Sequence, residues 1–275
     1  MPPVFDQAIC IRHWDWSETS QTLTLLSRQH GLLRLLAKGS RRPNAPFSGG
    51  VELLTRGEAG IILKPSADLG LLTEWDLSET FPHLRRRLSA YVAACYGADL
   101  VQHLVLDRDP HPDLYDALLC LLRGVADDTR APAQLLVFQH RAIASAGYAP
   151  ELTVCAATSQ PLPKAATYHY SPALGGLVRA AQPDAQTWPV RAATVELLRA
   201  VAAMRIDDGP DALSDPAILD AGKATIARAN RLLASIIRMT LGREPPTLRT
   251  VFPDLAGGHS GRRGPETRCA VLAAR

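Results

Sequence analysis

The hydrophobic period of this chain switches once, near Ser78, and that switch limits the folds open to it. Before it, apolar side chains recur in short runs: Ala8–Trp14, Thr19–Ser27, Gly31–Ala37, Val51–Arg56, Gly60–Leu63 and Leu69–Trp75. Alternation with period two marks half-buried strands, and five or six such strands between turn residues fit a small barrel. After the switch the period becomes helical. Asp76-Leu77-Ser78-Glu79 reads as a helix start, and Phe81 to about Leu106 continues it. Asp113 reads as the cap of a second helix reaching about Val125, and Pro132 opens a third, Ala133–Ala146, which Gly147 ends. Residues 149–186 read as irregular, followed by a helix from Thr187 to Met204. The last helix starts at Ala217 or Gly222 and ends at Leu241. The expected fold class is α+β: a β-barrel over residues 1–77, a helical domain over 78–255, and a disordered Gly/Arg-rich tail over 256–275.

Charge is distributed unevenly. The net charge of +3 is small, and residues 1–76 hold eight basic and eight acidic side chains. Yet from Arg28 to Arg42 there are five cations and no acid. In Gly31–Ala37, alternation points Leu33, Leu35 and Ala37 one way and Arg34 and Leu36 the other. Lys38, Arg41 and Arg42 then fall in a glycine-hinged loop. A basic loop at the mouth of a small barrel is a seat for a phosphate backbone, and the plainer reading is a solvated turn that blunts a strand edge. We take Arg34, Lys38, Arg41 and Arg42 as candidate phosphate contacts, with Arg56 and Lys64 as weaker ones on later strands. A second basic strip lies on the last helix. Arg228, Arg231 and Arg238 fall within about 80° of each other at 100° per residue, opposite Ile226, Leu233, Ile236 and Ile237. That strip reads either as a solvated helix face or as a second phosphate-contact strip. Arg85-Arg86-Arg87 fan around a helix start, so at least one should face the barrel or a partner. Trp14, Trp16, Phe47 and Tyr148 are the aromatics near loops that could stack on bases, although aromatics more often serve cores.

Other chemistry finds little support. The Asp107, Asp109, His111, Asp113 and Asp116 cluster lacks the spacing of a calcium loop and reads as an inter-helix loop. No phosphate-binding loop, zinc-protease helix or nucleophile elbow is present. Five scattered cysteines, Cys10, Cys95, Cys120, Cys155 and Cys269, read as reduced thiols of a cytosolic protein. No stretch reads as a signal peptide or a membrane span.

Four stretches together resemble the RecO family of bacterial recombination mediators. They are the strand pair Ala8–Leu26, the Gly31–Arg42 strand with Ala37-Lys38-Gly39, the Phe138-Gln139-His140-Arg141 to Gly147-Tyr148-Ala149-Pro150 segment running to Cys155, and Leu232–Phe252 with its Leu241-Gly242-Arg243-Glu244-Pro245-Pro246 run. The resemblance implies an N-terminal OB-fold and a C-terminal all-helical domain. It further implies binding of single- and double-stranded DNA, annealing of complementary strands, and loading of RecA together with RecR on DNA covered by single-strand binding protein. The acidic C-terminal tail of that protein is the partner implied for the second basic strip. The place implied is the cytoplasm, at the nucleoid. The expected activity is binding and annealing, not enzymatic catalysis, and no cofactor is expected. A protein-interaction scaffold that keeps the fold with weak DNA binding is the alternative.

The family resemblance also implies a four-cysteine zinc site between helices, and here the frame departs from it. Cys155 holds the first position, whereas Thr158, Arg179 and Gln182 hold the other three around the Gly175-Gly176 turn. One thiolate with Thr, Arg and Gln does not make a tetrahedral zinc site, so the segment 150–186 is expected to be zinc-free, with Leu162, Tyr168, Tyr170 and Leu177 filling the vacated volume.

Overall fold

A computed structural model describes residues 2–47, 49–64, 67–179, 187–204, 218 and 220–255. Gln182 and the tail at 256–275 lie outside the described residues. Five strands, β1 (Val4–Asp15), β2 (Gln21–Ser27), β3 (Gly31–Ala37), β4 (Arg56–Ile62) and β5 (Gly70–Glu79), close into an OB-like barrel in the order β1-β2-β3-β5-β4. All neighbours are antiparallel except β3 and β5, which run parallel with Leu35 beside Gly70. The long β1 serves two partners: Val4–Ile9 pairs with β4 and Ala8–Asp15 with β2. A bulge between Cys10 and Arg12 bends it around the barrel.

The alternation in β3 decides its two faces. Leu33, Leu35 and Ala37 are buried in the barrel with Leu23, Leu25, Ile61, Leu72 and Trp75. Phe47, in the loop between β3 and β4, joins this core with its side chain buried, so it does not offer a ring to stack on bases. Ile9, Ile11, Leu26 and Leu32 face outward and join a second core shared with the helices. The barrel is thus packed through its outer face against the rest of the chain.

Several element boundaries differ from the sequence reading, among them the helix read from Thr187, which begins at Ala192. Most of Val51–Arg56 is a turn, with Leu54 at φ 56° and Val51 and Leu54 buried beneath it, so apolar content there did not mean a strand. β5 also continues through Glu79, past the helix start read at Ser78. The helices are α1 (Pro82–Arg86), α2 (Leu88–Leu104), α3 (Pro112–Gly124), α4 (Ala131–Ser145), α5 (Ala192–Ala203), α6 (Lys223–Leu241) and the short α7 (Leu248–Val251). Arg87 is extended and divides α1 from α2, where helical spacing suggested one helix. A buried chain of amides ties three helices together: Tyr96 donates to Gln139 at 3.0 Å, Gln139 to Asn230 at 2.6 Å, and Asn230 to the Pro132 carbonyl at 2.8 Å.

The helical region also holds a three-stranded sheet, β6 (Thr167–Ser171), β7 (Gly176–Val178) and β8 (Trp188–Arg191), in the order β7-β6-β8. It corrects both the irregular reading of 149–186 and the expectation of an all-helical domain. Strands of three to five residues are too short to show a period. Tyr168, Tyr170 and Leu177 are buried in the main core and Leu162 packs against it.

The aspartate cluster clamps the barrel to the helical region. His111, not Asp113, occupies the N-cap position of α3, and its side chain makes no capping bond. Asp116 takes two hydrogen bonds from Arg28, at 3.2 and 2.8 Å. Asp107 pairs with Arg34 at 3.1 Å and forms a backbone bridge with Leu32. Each carboxylate that contacts the barrel meets a cation of the β2–β3 hairpin or of β3 itself.

Candidate nucleic-acid interface

The loop after β3 turns because Gly39 takes φ 66°, a conformation other residues rarely adopt, and the Arg42 N–H donates back to the Gly39 carbonyl at 3.0 Å. The same loop is stitched to the β1–β2 hairpin. The Arg41 N–H donates to the Thr19 carbonyl at 3.1 Å, and the Gly39 N–H to the Ser20 hydroxyl at 3.1 Å. Beneath it a buried Gln21 accepts from Ser40 and the Val51 N–H and donates to the Val51 carbonyl. A basic loop and an aromatic hairpin, separate in sequence, therefore form one rigid rim.

The candidate cations divide into three sets. Lys38 and Arg42 are exposed and make no ion pair among the described residues. Arg41 belongs to the same loop but pairs with Asp15 at 2.6 Å, so the loop does have an acid nearby, brought by the hairpin. Arg34 and Arg56 are drawn toward the helical region: Arg34 by Asp107, and Arg56 by a 3.1 Å hydrogen bond to the Tyr115 hydroxyl. Lys64 is exposed just beyond β4, where its carbonyl accepts from Arg108.

Arg12 was not among the sequence candidates. Its guanidinium carbon lies 4.6 Å from the centroid of Trp14. The signal was present as period two, since residues 12 and 14 of a strand share a face. Tyr148 is exposed at the turn after α4, away from the barrel loops in sequence and held by its N–H to the Ile143 carbonyl.

The second strip is partly occupied by the Pro253–Leu255 segment of the same chain. Arg231 pairs with Asp254 at 2.5 Å and Arg238 donates to the Leu255 carbonyl at 2.9 Å, while Arg228 donates to Thr225 at 2.9 Å on its own helix. Of the triplet, Arg85 pairs with Glu52 and Arg87 with Asp128, while Arg86 is exposed.

At the degenerate zinc position, Cys155 is ringed by donors. The Thr158 hydroxyl first, and then the neighbouring backbone N–H groups of Ala157, Arg179 and Thr158, pull the thiol down from 9.0 to about 7. The Arg179 guanidinium donates to Gln160 at 2.8 Å. Among the described residues no three His, Cys, Asp or Glu side chains gather as a metal site. The donor set does not fit zinc: a hydroxyl and a guanidinium stand at positions where thiolates would be needed.

Comparison with known proteins now bears on this geometry. Residues 1–81 match the family model described as recombination protein O N terminal, and residues 85–249 that described as recombination protein O C terminal. The chain belongs to the RecO family. Relatives named DNA repair protein RecO agree. The protein of Desulforudis audaxviator is 32% identical over 197 residues, covering 70% of this chain and 76% of the relative. That of Anaeromyxobacter sp. strain K is 28% identical over 238 residues, covering 86% and 90%. That of Rhodopirellula baltica is 36% identical over 148 residues, and there the match spans about half of each chain, 54% and 55%. RecO members are thus DNA repair proteins, and no described helix of this one is long and apolar enough to cross a membrane.

Proposed function

We propose that this protein is a recombination mediator. It binds single- and double-stranded DNA, anneals complementary strands, and helps load RecA together with RecR on DNA covered by single-strand binding protein. Its work is binding and annealing, without a covalent step. The observation that carries the reading is the union of the Lys38–Arg42 loop with the β1–β2 hairpin on one barrel rim. Cations held on a rigid rim neutralise phosphates and lower the repulsion between two strands. Lys38 and Arg42 lead these contacts, Arg41 and Arg34 share theirs with carboxylates, and Arg56 and Lys64 stand further out. Arg228, Arg231 and Arg238 meet an acidic partner, the tail of single-strand binding protein, in place of the segment ending at Leu255.

One observation favours the scaffold reading. Asp15 and Asp107 already neutralise two of the four main cations. Titration of single-stranded DNA at several salt concentrations separates the two. Replacing Lys38, Arg41 and Arg42 by alanine should weaken binding whatever the base sequence and flatten the salt slope by roughly 0.7 per lost contact. Unchanged affinity and slope with the fold intact would favour the scaffold.

A further inference from the structure

The proposed DNA surface leaves one feature unused, which is where the exposed tryptophans sit. Of four tryptophans, Trp75 is buried in the barrel and Trp188 stacks on Tyr170 at 5.7 Å. The two that are largely exposed, Trp14 at 46% and Trp16 at 72%, are both on the β1–β2 hairpin. Neither is required to fill a core. We propose that the outer face of this hairpin is a base-stacking platform for single-stranded DNA, with Trp14 and Trp16 as the stacking side chains. The proposal rests on the DNA-binding reading above and assigns the single-strand part of it to named residues.

The register supports it. Past the bulge, Arg12 pairs with Thr24 and Trp14 with Thr22, while His13 lies opposite the buried Leu23. Arg12 and Trp14 therefore face outward. Across β2 the same rows continue to Arg34, opposite Thr24, and Leu36, opposite Thr22. One row thus presents Arg12 and Arg34 on either side of Thr24, and the next presents Trp14. The Arg12 guanidinium, 4.6 Å from the Trp14 ring centroid, fixes that ring by a cation–π contact and lowers the rotamer entropy lost on binding. Trp16 is fixed in another way. Its backbone N–H donates to the Ser20 carbonyl at 2.9 Å, Ser17 and Ser20 exchange further bonds, and the basic loop after β3 is bonded to Thr19 and Ser20 of the same hairpin.

Charge complementarity names the occupant. Lys38, Arg41 and Arg42 belong to the loop bonded to this hairpin at Thr19 and Ser20, and Asp15 is already paired with Arg41, leaving Glu18 as the hairpin acid without an ion pair among the described residues. A strand whose phosphates lie along the loop brings its bases toward the hairpin. Stacking needs a free base face, which single strands offer and duplexes cover, so these tryptophans should separate the two ligands.

The test uses the full chain, a fluorescent oligothymidylate, a duplex of equal length, and intrinsic tryptophan emission. With Trp14→Ala and Trp16→Ala together, single-strand affinity should fall roughly tenfold or more, with an unchanged salt slope and duplex affinity held within about twofold. Wild-type emission should be quenched by oligothymidylate, and that quenching should vanish in the double variant. If Trp14→Ala disturbs the hairpin, Trp16→Ala alone, at the exposed tip, should still weaken single-strand binding several-fold. Equal single-strand affinity in both variants, or wild-type binding without quenching, overturns the platform while leaving DNA binding standing. Equal losses on single strand and duplex assign the rings to hairpin structure and overturn it too. A wild-type protein that binds neither ligand overturns the DNA-binding reading itself, and the rings then belong to a protein contact.

Discussion

Gly31, at the tip of the β2–β3 hairpin, is pressed against the backbone of Asp109: a Cβ at residue 31 would lie 2.1 Å from the Asp109 carbonyl oxygen. Its φ of 69° adds a second obstacle to any side chain. This is where the barrel meets the loop before α3, so strain at this point would be felt across both parts of the chain. Gly31→Ala should destabilise by about 3 kcal/mol, the sum expected for a steric clash and a left-handed backbone. Gly147→Ala serves as the comparison, since φ is 81° there but nothing lies within 4 Å of the added methyl. It should cost only about 1 kcal/mol. Urea midpoints of the two variants measure the difference, and equal losses would mean that the Asp109 contact relaxes freely.

The Arg34–Asp107 pair crosses the same boundary but should behave differently. Both side chains are about half exposed, so their 3.1 Å ion pair contributes little stability, within about 1 kcal/mol. Its effect should appear in DNA binding. Asp107→Asn removes a competing anion and releases Arg34, which should tighten DNA binding by a few-fold at low salt, whereas Arg34→Ala should weaken it. Both effects should shrink as salt rises past a Debye length of about 8 Å. Asp107→Asn and Arg34→Ala leaving affinity unchanged would remove Arg34 from the DNA surface.

How much of this was legible beforehand depends on range. The burial of Leu33, Leu35 and Ala37 follows from period two, and that of Ile226, Leu233, Ile236 and Ile237 from helical spacing, because both are properties of neighbours along the chain. The barrel–helix clamp is not. Nothing in the spacing of Asp107 and Asp116 states that they will meet Arg34 and Arg28, since that pairing is set when outward Ile9, Leu26 and Leu32 find the helical core. The acid-free run from Arg28 to Arg42 likewise reads as more positive than it is, because Asp15 reaches Arg41 only through the hairpin. Strands β6 to β8 escape detection because three to five residues do not establish a period.

His140 sets a pH dependence. It is buried on α4 with its Nδ1 lacking a hydrogen-bond partner, and burial, with a smaller contribution from Arg141, pulls it down to about 4 from 6.5. Between those values the unfolded chain accepts a proton that the folded chain resists. Stability from this group is therefore complete above pH 6.5 and is lost as pH falls toward about 4. The full loss is about 3 kcal/mol at 1.36 kcal/mol per unit. His140→Gln removes the titration, so its urea midpoint should fall less steeply between pH 6.5 and 4.5 than that of the parent. Parallel pH profiles would show that His140 is charged in the folded state.

The segment around Cys155 should fold without metal. A structural zinc contributes to stability because its ligands are gathered only in the folded chain, so chelation unfolds what zinc holds. Here Cys155 is held through its backbone, its N–H donating to the Gln160 carbonyl at 2.8 Å and its carbonyl accepting from the Thr158 N–H at 3.2 Å, and the surrounding chain is held by other contacts. Arg199 donates to the Leu152 carbonyl at 2.8 and 2.6 Å and lies 5.7 Å from the Tyr168 ring, joining α5 to this segment. Tyr170 stacks on Trp188 across β6 and β8. Purified, tag-free protein should carry zinc far below one equivalent, and EDTA should leave its Tm unshifted. Arg199→Ala should instead lower stability by about 1–2 kcal/mol, because a carbonyl loses a charged donor and the Tyr168 face its cation. Replacing Thr158, Arg179 and Gln182 together by cysteine supplies the three missing thiolates, and that variant should acquire zinc and a Tm that falls on chelation. Stoichiometric zinc in the parent protein would show that ligands other than Thr158, Arg179 and Gln182 hold it, with His169 and Cys155 the first to be replaced.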